Sequence, residues 1–541
     1  MATELVNFGF IIDNRRCIGC HACTVACKSE HSVPVGVNRT WVKYIEKGEF
    51  PDSQRLFSVM RCNHCDNAPC IEICPVTALY RREDGIVDFD NRRCIGCKAC
   101  MQACPYDALY IDPQTNTAAK CNYCAHRIDV GLEPACVNVC PTQAIISGDL
   151  NDPESKISRL KSEQAVSARK TEIGTLPALF YVDADAASLD PLAARAEDDF
   201  MWGSQRSGVG HFAHDSSDEE EHVLEKFGRL LSLGESSEKL TDGHGIANEL
   251  LNAVAGEPRR AYDAPQKGVL WGWQVSGYLW TKSIAAGVVI CVMLAKLISL
   301  EVVSQGLEMF SLITGLSFLG ITGGLLIWDL DKPQRFLYVL LRPQWRSWLV
   351  KGAYVITVYS LLLLLDAALC WFSFNGTSHL WMRLPLLVLG MLTAIYTAFL
   401  FAQAKGRAFW QSKTVPLNMA THAVICGAAF LALFSTNWVP EFNSFLCSLL
   451  MIAAVIHIAL TAVELGLPHH AEESRVVVKS IVSGRYSGLF WLAGMLAGTV
   501  LPAVLLISSS GTLVAAAILF LIGVFVSQHI WVRAPQQIPL S

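Results

Sequence analysis

Sixteen cysteines fall between Cys17 and Cys140 in four quartets: Cys17/Cys20/Cys23/Cys27, Cys62/Cys65/Cys70/Cys74, Cys94/Cys97/Cys100/Cys104 and Cys121/Cys124/Cys136/Cys140. Only four more are scattered through the rest of the chain. The first and third quartets have the spacing C-x2-C-x2-C-x3-C, which wraps three thiolates of one loop around an iron-sulfur cubane. The fourth thiolate, expected to start a helix, is left for a neighbouring cubane. Structural zinc is the competing chemistry, but one tetrahedral ion has no use for this spacing, whose third and fourth thiols are awkwardly placed for it. Disulfide frameworks belong to small secreted domains and do not repeat in this way. Four 4Fe-4S clusters would make the chain a one-electron carrier.

The segment NRRCIGCHACTVAC at 14 to 27 returns as NRRCIGCKACMQAC at 91 to 104, with 11 of 14 positions identical. An internal duplication of a ferredoxin unit explains the repeat. Three quartets end in Cys-Pro (Cys74-Pro75, Cys104-Pro105, Cys140-Pro141), as the bacterial ferredoxin run does, whereas the first ends in Cys27-Lys28. Short β-prone stretches at Ala78 to Tyr80, Ile86 to Phe89, Leu109 to Ile111 and Ala144 to Ile146 are expected to supply small hairpins beside the clusters.

Holding such loops and then anchoring them takes more than one domain, and the 541 residues divide accordingly. Residues 1-182 carry the quartets, 183-268 read as a partly ordered linker, and 269-541 are dominated by long apolar stretches. The linker is rich in small and acidic residues, with the run Asp218 to Glu221 and one amphipathic stretch from Val223 to Leu231. Its His211, His214 and His222 read as solvated side chains. A net charge of -5 leaves no footprint for nucleic acid. The N-terminus shows neither a basic segment followed by an apolar one nor a twin arginine ahead of one, so export of the cysteine domain is not expected.

Eight stretches are long enough to span a bilayer: 275-298, 307-328, 348-372, 381-403, 416-435, 443-465, 489-508 and 512-532. Fourteen lysines and arginines lie in the loops and flanks on the N-terminal side, against Lys296 and Arg383 on the other. The positive-inside rule predicts the iron-sulfur domain on the cytoplasmic side of the cell's inner membrane. Ionisable residues inside spans are costly and point to function. Lys282, Asp329, His422, His457 and Glu464 are expected at one depth, in the half nearest the clusters, where they could hold a quinone headgroup and move its protons among spans one, two, five and six. Asp366 lies deeper and would extend a proton path. No span carries a histidine pair facing another such pair, so no haem is expected.

The quartets with CIGCHACTVACK, RCNHCDNAPCIEICP and KCNYCAHRIDVGLEPACVNVCP resemble, over about residues 8 to 182, the four-cluster iron-sulfur subunit of the dimethyl sulfoxide reductase, polysulfide reductase and formate dehydrogenase families. That resemblance implies that outer quartets pair and inner quartets pair. Cluster one would take Cys17, Cys20, Cys23 and Cys140, and cluster four Cys121, Cys124, Cys136 and Cys27. The other two would take Cys62, Cys65, Cys70 with Cys104, and Cys94, Cys97, Cys100 with Cys74. Exchange between quartets adjacent in sequence is the alternative. WGWQVSGYLWTKSIAAG and WDLDKPQRFLYVLLRPQWRSWLVKGAY resemble the NrfD and polysulfide reductase membrane subunits, which implies quinone exchange.

The fold class expected is thus an α+β ferredoxin-like double-dicluster domain followed by an all-α eight-helix transmembrane bundle. The function expected is electron transfer in a respiratory chain, between a molybdopterin (Mo or W) catalytic subunit and the quinone pool, menaquinone or ubiquinone, within membrane lipid. Two alternatives are a passive membrane anchor for the wire and an ion-translocating module of a larger complex.

Overall fold

The computed structural model describes residues 6-48, 51-196, 258-264, 267-298, 303-372, 380-469, 471-508 and 512-541. The acidic run, the amphipathic stretch and the three histidines of the linker lie outside them. The chain divides into two compact units, Met1–Leu270 with Pro539–Ser541, and Trp271–Ile538.

The first unit is built on two small sheets. In one, β1 (Phe8–Asp13) lies between β8 (Ile145–Asp149), antiparallel, and β10 (Leu179–Val182), parallel, with β9 (Val166–Ser167) at the edge. In the other, β2 (Thr40–Lys47) pairs with β3 (Gln54–Arg61) in a hairpin whose ends match Thr40 with Arg61, and β12 (Arg259–Tyr262) joins β11 (Arg195–Ala196) to β2. The stretches at 78-80 and 86-89 form the hairpin β4 (Leu79–Arg81) and β5 (Val87–Phe89), and 109-111 pairs as β6 (Leu109–Asp112) with β7 (Thr117–Lys120). The stretch at 144-146 departs from expectation, since it joins the larger sheet as β8 instead of making a hairpin. Its Ile145 enters a core with Phe10, Ile12, Val59, Tyr123, Leu179 and Tyr181, and this burial outweighs local pairing. That core includes Cys23 and Cys136.

Short helices carry Cys23, Cys27, Cys70, Cys100 and Cys136. Helix α1 (Ala22–His31) packs on α5 (Ala135–Asn138), and α2 (Pro69–Ile73) on α3 (Ala99–Ala103). The fourth cysteine does not start a helix. Cys74 and Cys104 end α2 and α3 in extended conformation, and Cys140 follows α5. The proline after each of them clashes with a helical residue before it, so the helix must stop at or ahead of the cysteine. Cys27, followed by Lys28, sits inside α1, which runs on to His31.

The second unit has eight helices long and apolar enough to cross a membrane: Trp273–Leu297, Gln305–Trp328, Trp348–Phe372, Trp381–Gln403, Val415–Ala432, Pro440–Gly466, Leu489–Ile507 and Leu513–Gln537, numbered as spans one to eight. They make the chain a multi-pass membrane protein. Span one is the central post, 89% of its most apolar window being buried, against 22% for span three, and it packs on spans two, four, five and eight. Small residues permit this. Gly287 of span one and Gly427 of span five lie backbone against backbone, as do Gly498 of span seven and Gly523 of span eight. Close approach of this kind is how helices gain packing energy where lipid supplies no hydrophobic drive. Span seven opens as a wide π-helix, Leu489–Val500.

Candidate functional site

The backbone repeats itself around the cysteines. In the first Cys-x-x-Cys turn of each quartet the third residue has a positive φ: Gly19 at 68°, His64 at 45°, Gly96 at 71° and Tyr123 at 61°. The left-handed residue folds the loop back so that both thiols face the same side. A second element recurs after each Cys-Pro. Thr77, Asp107 and Gln143, three residues past Cys74, Cys104 and Cys140, again have positive φ, at 52°, 55° and 50°. The next residue is alanine each time, and its N–H donates back to the cysteine sulfur, Ala78 to Cys74 at 3.3 Å and Ala144 to Cys140 at 3.2 Å, with Ala108 bonded likewise to Cys104.

Folding gathers the thiols across quartets. Cys27 is an electrostatic neighbour of Cys121, Cys124 and Cys136, and Cys140 of Cys17. Cys104 lies with Cys62, Cys65 and Cys70, and Cys74 with Cys94, Cys97 and Cys100. The donor set fits iron-sulfur clusters. Among the described residues no three His, Cys, Asp or Glu side chains converge as they would on a single ion, whereas the thiols of a cubane each bind a separate iron. N–H groups aimed at the sulfurs, including Ala118 to Cys94 at 3.4 Å, are donors of the kind that tune such clusters. The Arg61 guanidinium, fully buried, donates to Cys136 Sγ at 3.1 Å.

In the membrane unit the five expected residues separate into two places. His422 and His457 meet, Nε2 to Nδ1 at 3.3 Å, one donating and the other accepting. Both line a cavity with Leu279, Phe401, Asn418, Thr461, Phe490, Gln528 and Trp531 among others. Its unfilled space is about 520 Å³ counting the open side. Glu464, on the same span as His457, accepts from Ser412 Oγ at 2.7 Å and does not line the cavity. Lys282 is elsewhere. Its Nζ donates to Thr397 at 2.5 Å and lies 4.4 Å from the centre of the Tyr396 ring. Asp329 caps the end of span two, within electrostatic reach of Tyr278 on span one. Spans one, two, five and six were expected to share the pocket, but span two packs on the far side of span one against span three, and spans four, seven and eight close the cavity instead.

Sequence reading passed over three lining residues. Asn418 Oδ1, Gln528 Oε1 and Trp531 Nε1 are buried with no hydrogen-bond partner among the described residues. Attention to uncharged polar residues inside spans would have found the first two; Trp531 reads as an interfacial aromatic. It also passed over Glu308, completely buried in the first turn of span two, where it pairs with Lys296 of span one. The Cys370 thiol, 3.7 Å from Glu308 Oε2, lies within electrostatic reach of Asp366 as well.

Cysteine sets in one unit and a largely apolar, histidine-lined cavity among the apolar helices of the other define a membrane-bound iron-sulfur electron-transfer protein. A family profile described as polysulphide reductase, NrfD, matches residues 263–539, and one for a 4Fe-4S dicluster domain matches residues 54–150. A tetrathionate reductase subunit of Salmonella typhimurium is 47% identical over 195 residues, 35% of this chain and 78% of that protein. A polysulfide reductase component of Wolinella succinogenes is 44% identical over 180 residues, 32% of this chain and 93% of that one. Protein NrfC of Escherichia coli is 43% identical over 180 residues, 33% of this chain and 81% of that one. The protein belongs to the NrfD polysulphide reductase family, with an iron-sulfur subunit of the reductase type fused ahead of the membrane domain.

Proposed function

We propose that the chain carries electrons through four 4Fe-4S clusters between a molybdopterin catalytic subunit and a quinone bound in the cavity of His422 and His457. Clusters bound to the sixteen cysteines supply one-electron transfer. The left-handed turns hold the thiols on one side, the alanine N–H groups and Arg61 stabilise thiolate charge, and the surrounding core excludes water. Crossing of Cys27, Cys74, Cys104 and Cys140 into other quartets supports pairing of outer with outer and inner with inner.

The observation that carries the quinone assignment is the cavity itself. A quinone headgroup needs a hydrogen-bond donor at a carbonyl and a route for protons. Trp531 Nε1 is a donor without a partner, and the histidine pair can hold and pass a proton. Unsatisfied polar atoms in a membrane interior are costly, and a polar ligand would relieve that cost. The wide π-helix that brings Phe490 to the cavity wall is the element that would yield to a bulkier ligand. Lys282 with Tyr396, and Glu464, lie apart and would serve proton movement. The loop charges favour the cytoplasmic face for the iron-sulfur domain, which takes in residues 1-182 and also strands β11 and β12 from within 183-268.

The test is anaerobic purification of the full chain, iron and sulfide analysis, and reduction of its clusters by a quinol. About sixteen irons and quinol-dependent bleaching are expected. Far fewer irons would remove the wire, and sixteen irons indifferent to quinol would leave a passive anchor. One observation favours ion translocation as a second reading: the buried Lys296–Glu308 pair close to Cys370, itself near Asp366. Turnover-coupled proton uptake by sealed vesicles, lost in Glu308→Gln, is its test.

A further inference from the structure

Arg61 is a cation in a place that demands an anion. It is 1% exposed, its guanidinium sits over the Phe10 ring at 4.6 Å, and no carboxylate pairs with it among the described residues. Burying an unpaired guanidinium costs several kcal/mol. The groups that act on it most strongly are thiols: Cys136, which its Nη1 reaches, Cys121 and Cys23. Nε and Nη2 have no partner among the described residues. Lys120 stands before Cys121 as Arg61 stands before Cys62, yet its Nζ is satisfied by the carbonyl oxygens of Val87 and Cys121. Arg61 alone of these two keeps donors in reserve. A second side chain reaches the same thiol set, for His31 Nε2 lies 3.1 Å from Cys124 Sγ.

We propose that Arg61 is a positioning residue that raises the reduction potential of the cluster held by Cys27, Cys121, Cys124 and Cys136, with His31 acting in the same direction. The proposal rests on the four-cluster reading. Reduction adds one negative charge to the cluster, and a fixed positive charge with an N–H directed at a ligand sulfur favours that state in a low-dielectric core. Cys23 belongs to another set, but no hydrogen bond from Arg61 reaches it, so the effect there is smaller.

The experiment is a redox titration of the full, cluster-loaded chain followed by electron paramagnetic resonance, with iron counted in every sample. Arg61→Gln keeps an N–H donor on a shorter side chain and loses the charge; one cluster is expected to become at least tenfold less reduced at its former midpoint, a 59 mV fall for one electron. Arg61→Lys, which keeps the charge, should fall by less. A full iron complement in Arg61→Gln with all four midpoints unmoved overturns the proposal. If Arg61→Gln cannot hold its iron, His31→Leu at the half-buried edge of the set decides. A smaller fall in one midpoint supports the proposal, and four unmoved midpoints overturn it. Fewer than about sixteen irons in the unaltered chain defeats the four-cluster reading and the proposal with it.

Discussion

Gly427→Ala should loosen the membrane unit at the joint beside the cavity of His422 and His457. A Cβ on Gly427 would run into the Gly287 carbonyl and stand 2.5 Å from Gly287 Cα, and one on Gly287 would stand 2.8 Å from Gly427 N. All these atoms are backbone, so no rotamer change relieves the clash. Spans one and five must part by well over 1 Å to regain the 3.4 Å of ordinary contact. Overpacking costs about 1–3 kcal/mol, and a backbone clash belongs at or above the top of that range. His422 lies five residues before Gly427 on span five, and its 3.3 Å contact with His457 has little slack, since 3.6 Å is no longer a hydrogen bond. We expect a lower inactivation temperature in detergent and at least a tenfold slower quinol-driven reduction, with iron content unchanged. Gly320→Ala is the control, because its Cβ would meet nothing within 4 Å. A Gly427→Ala protein with unaltered melting and quinol kinetics would refute the reasoning.

His457→Phe and His422→Phe, which keep ring volume, should each slow quinol oxidation tenfold or more with all clusters intact, and normal kinetics in both would take the pair out of the role. Thr77→Gly should stabilise the cysteine unit by up to about 1 kcal/mol, because a left-handed non-glycine residue costs about 1–2 kcal/mol and glycine returns part of that in entropy. Melting followed by loss of cluster absorbance checks it, and a clear drop would count against strain at this turn. Lys43 is buried without a hydrogen-bond partner among the described residues, near Asp263, Arg260, Arg169 and Asp190, and burial brings its pKa from 10.5 down to about 7. Between those values the unfolded state binds a proton that the folded state refuses, so the penalty is full below pH 7 and fades toward pH 10.5. Lys43→Met should therefore raise the melting temperature by a few degrees at pH 6.5 and less at pH 9.5. An equal gain at both values would contradict this.

The parts of this protein that the sequence reveals are those governed by local rules. Cysteine spacing is read directly because a loop of fixed length must reach the corners of one cluster, and the eight spans are read directly because a bilayer demands about twenty apolar residues in a row. The Cys-Pro steps also carried a local signal, that the helix must end there. It was misread as a helix start in the ferredoxin spacing, although the rule that the residue before proline avoids the helical region argues the other way.

What only tertiary structure decided is which residues meet. Ala144 to Ile146 looked like a hairpin strand until burial in a shared core claimed it for the larger sheet. Lys282 and His422 looked like partners by depth, yet depth along a helix says nothing of the direction a side chain faces around it. The glycines that let span one sit at the centre are silent in a hydropathy plot, and they determine that spans four, seven and eight enclose the histidine pair while span two does not. Lys296 counts in the sequence only as a flanking base and Glu308 gives no signal there, yet packing makes them a buried ion pair. The ligands of a cluster are announced by their spacing in the chain; the arginine beside them and the cavity in the membrane unit exist only once distant segments have packed together.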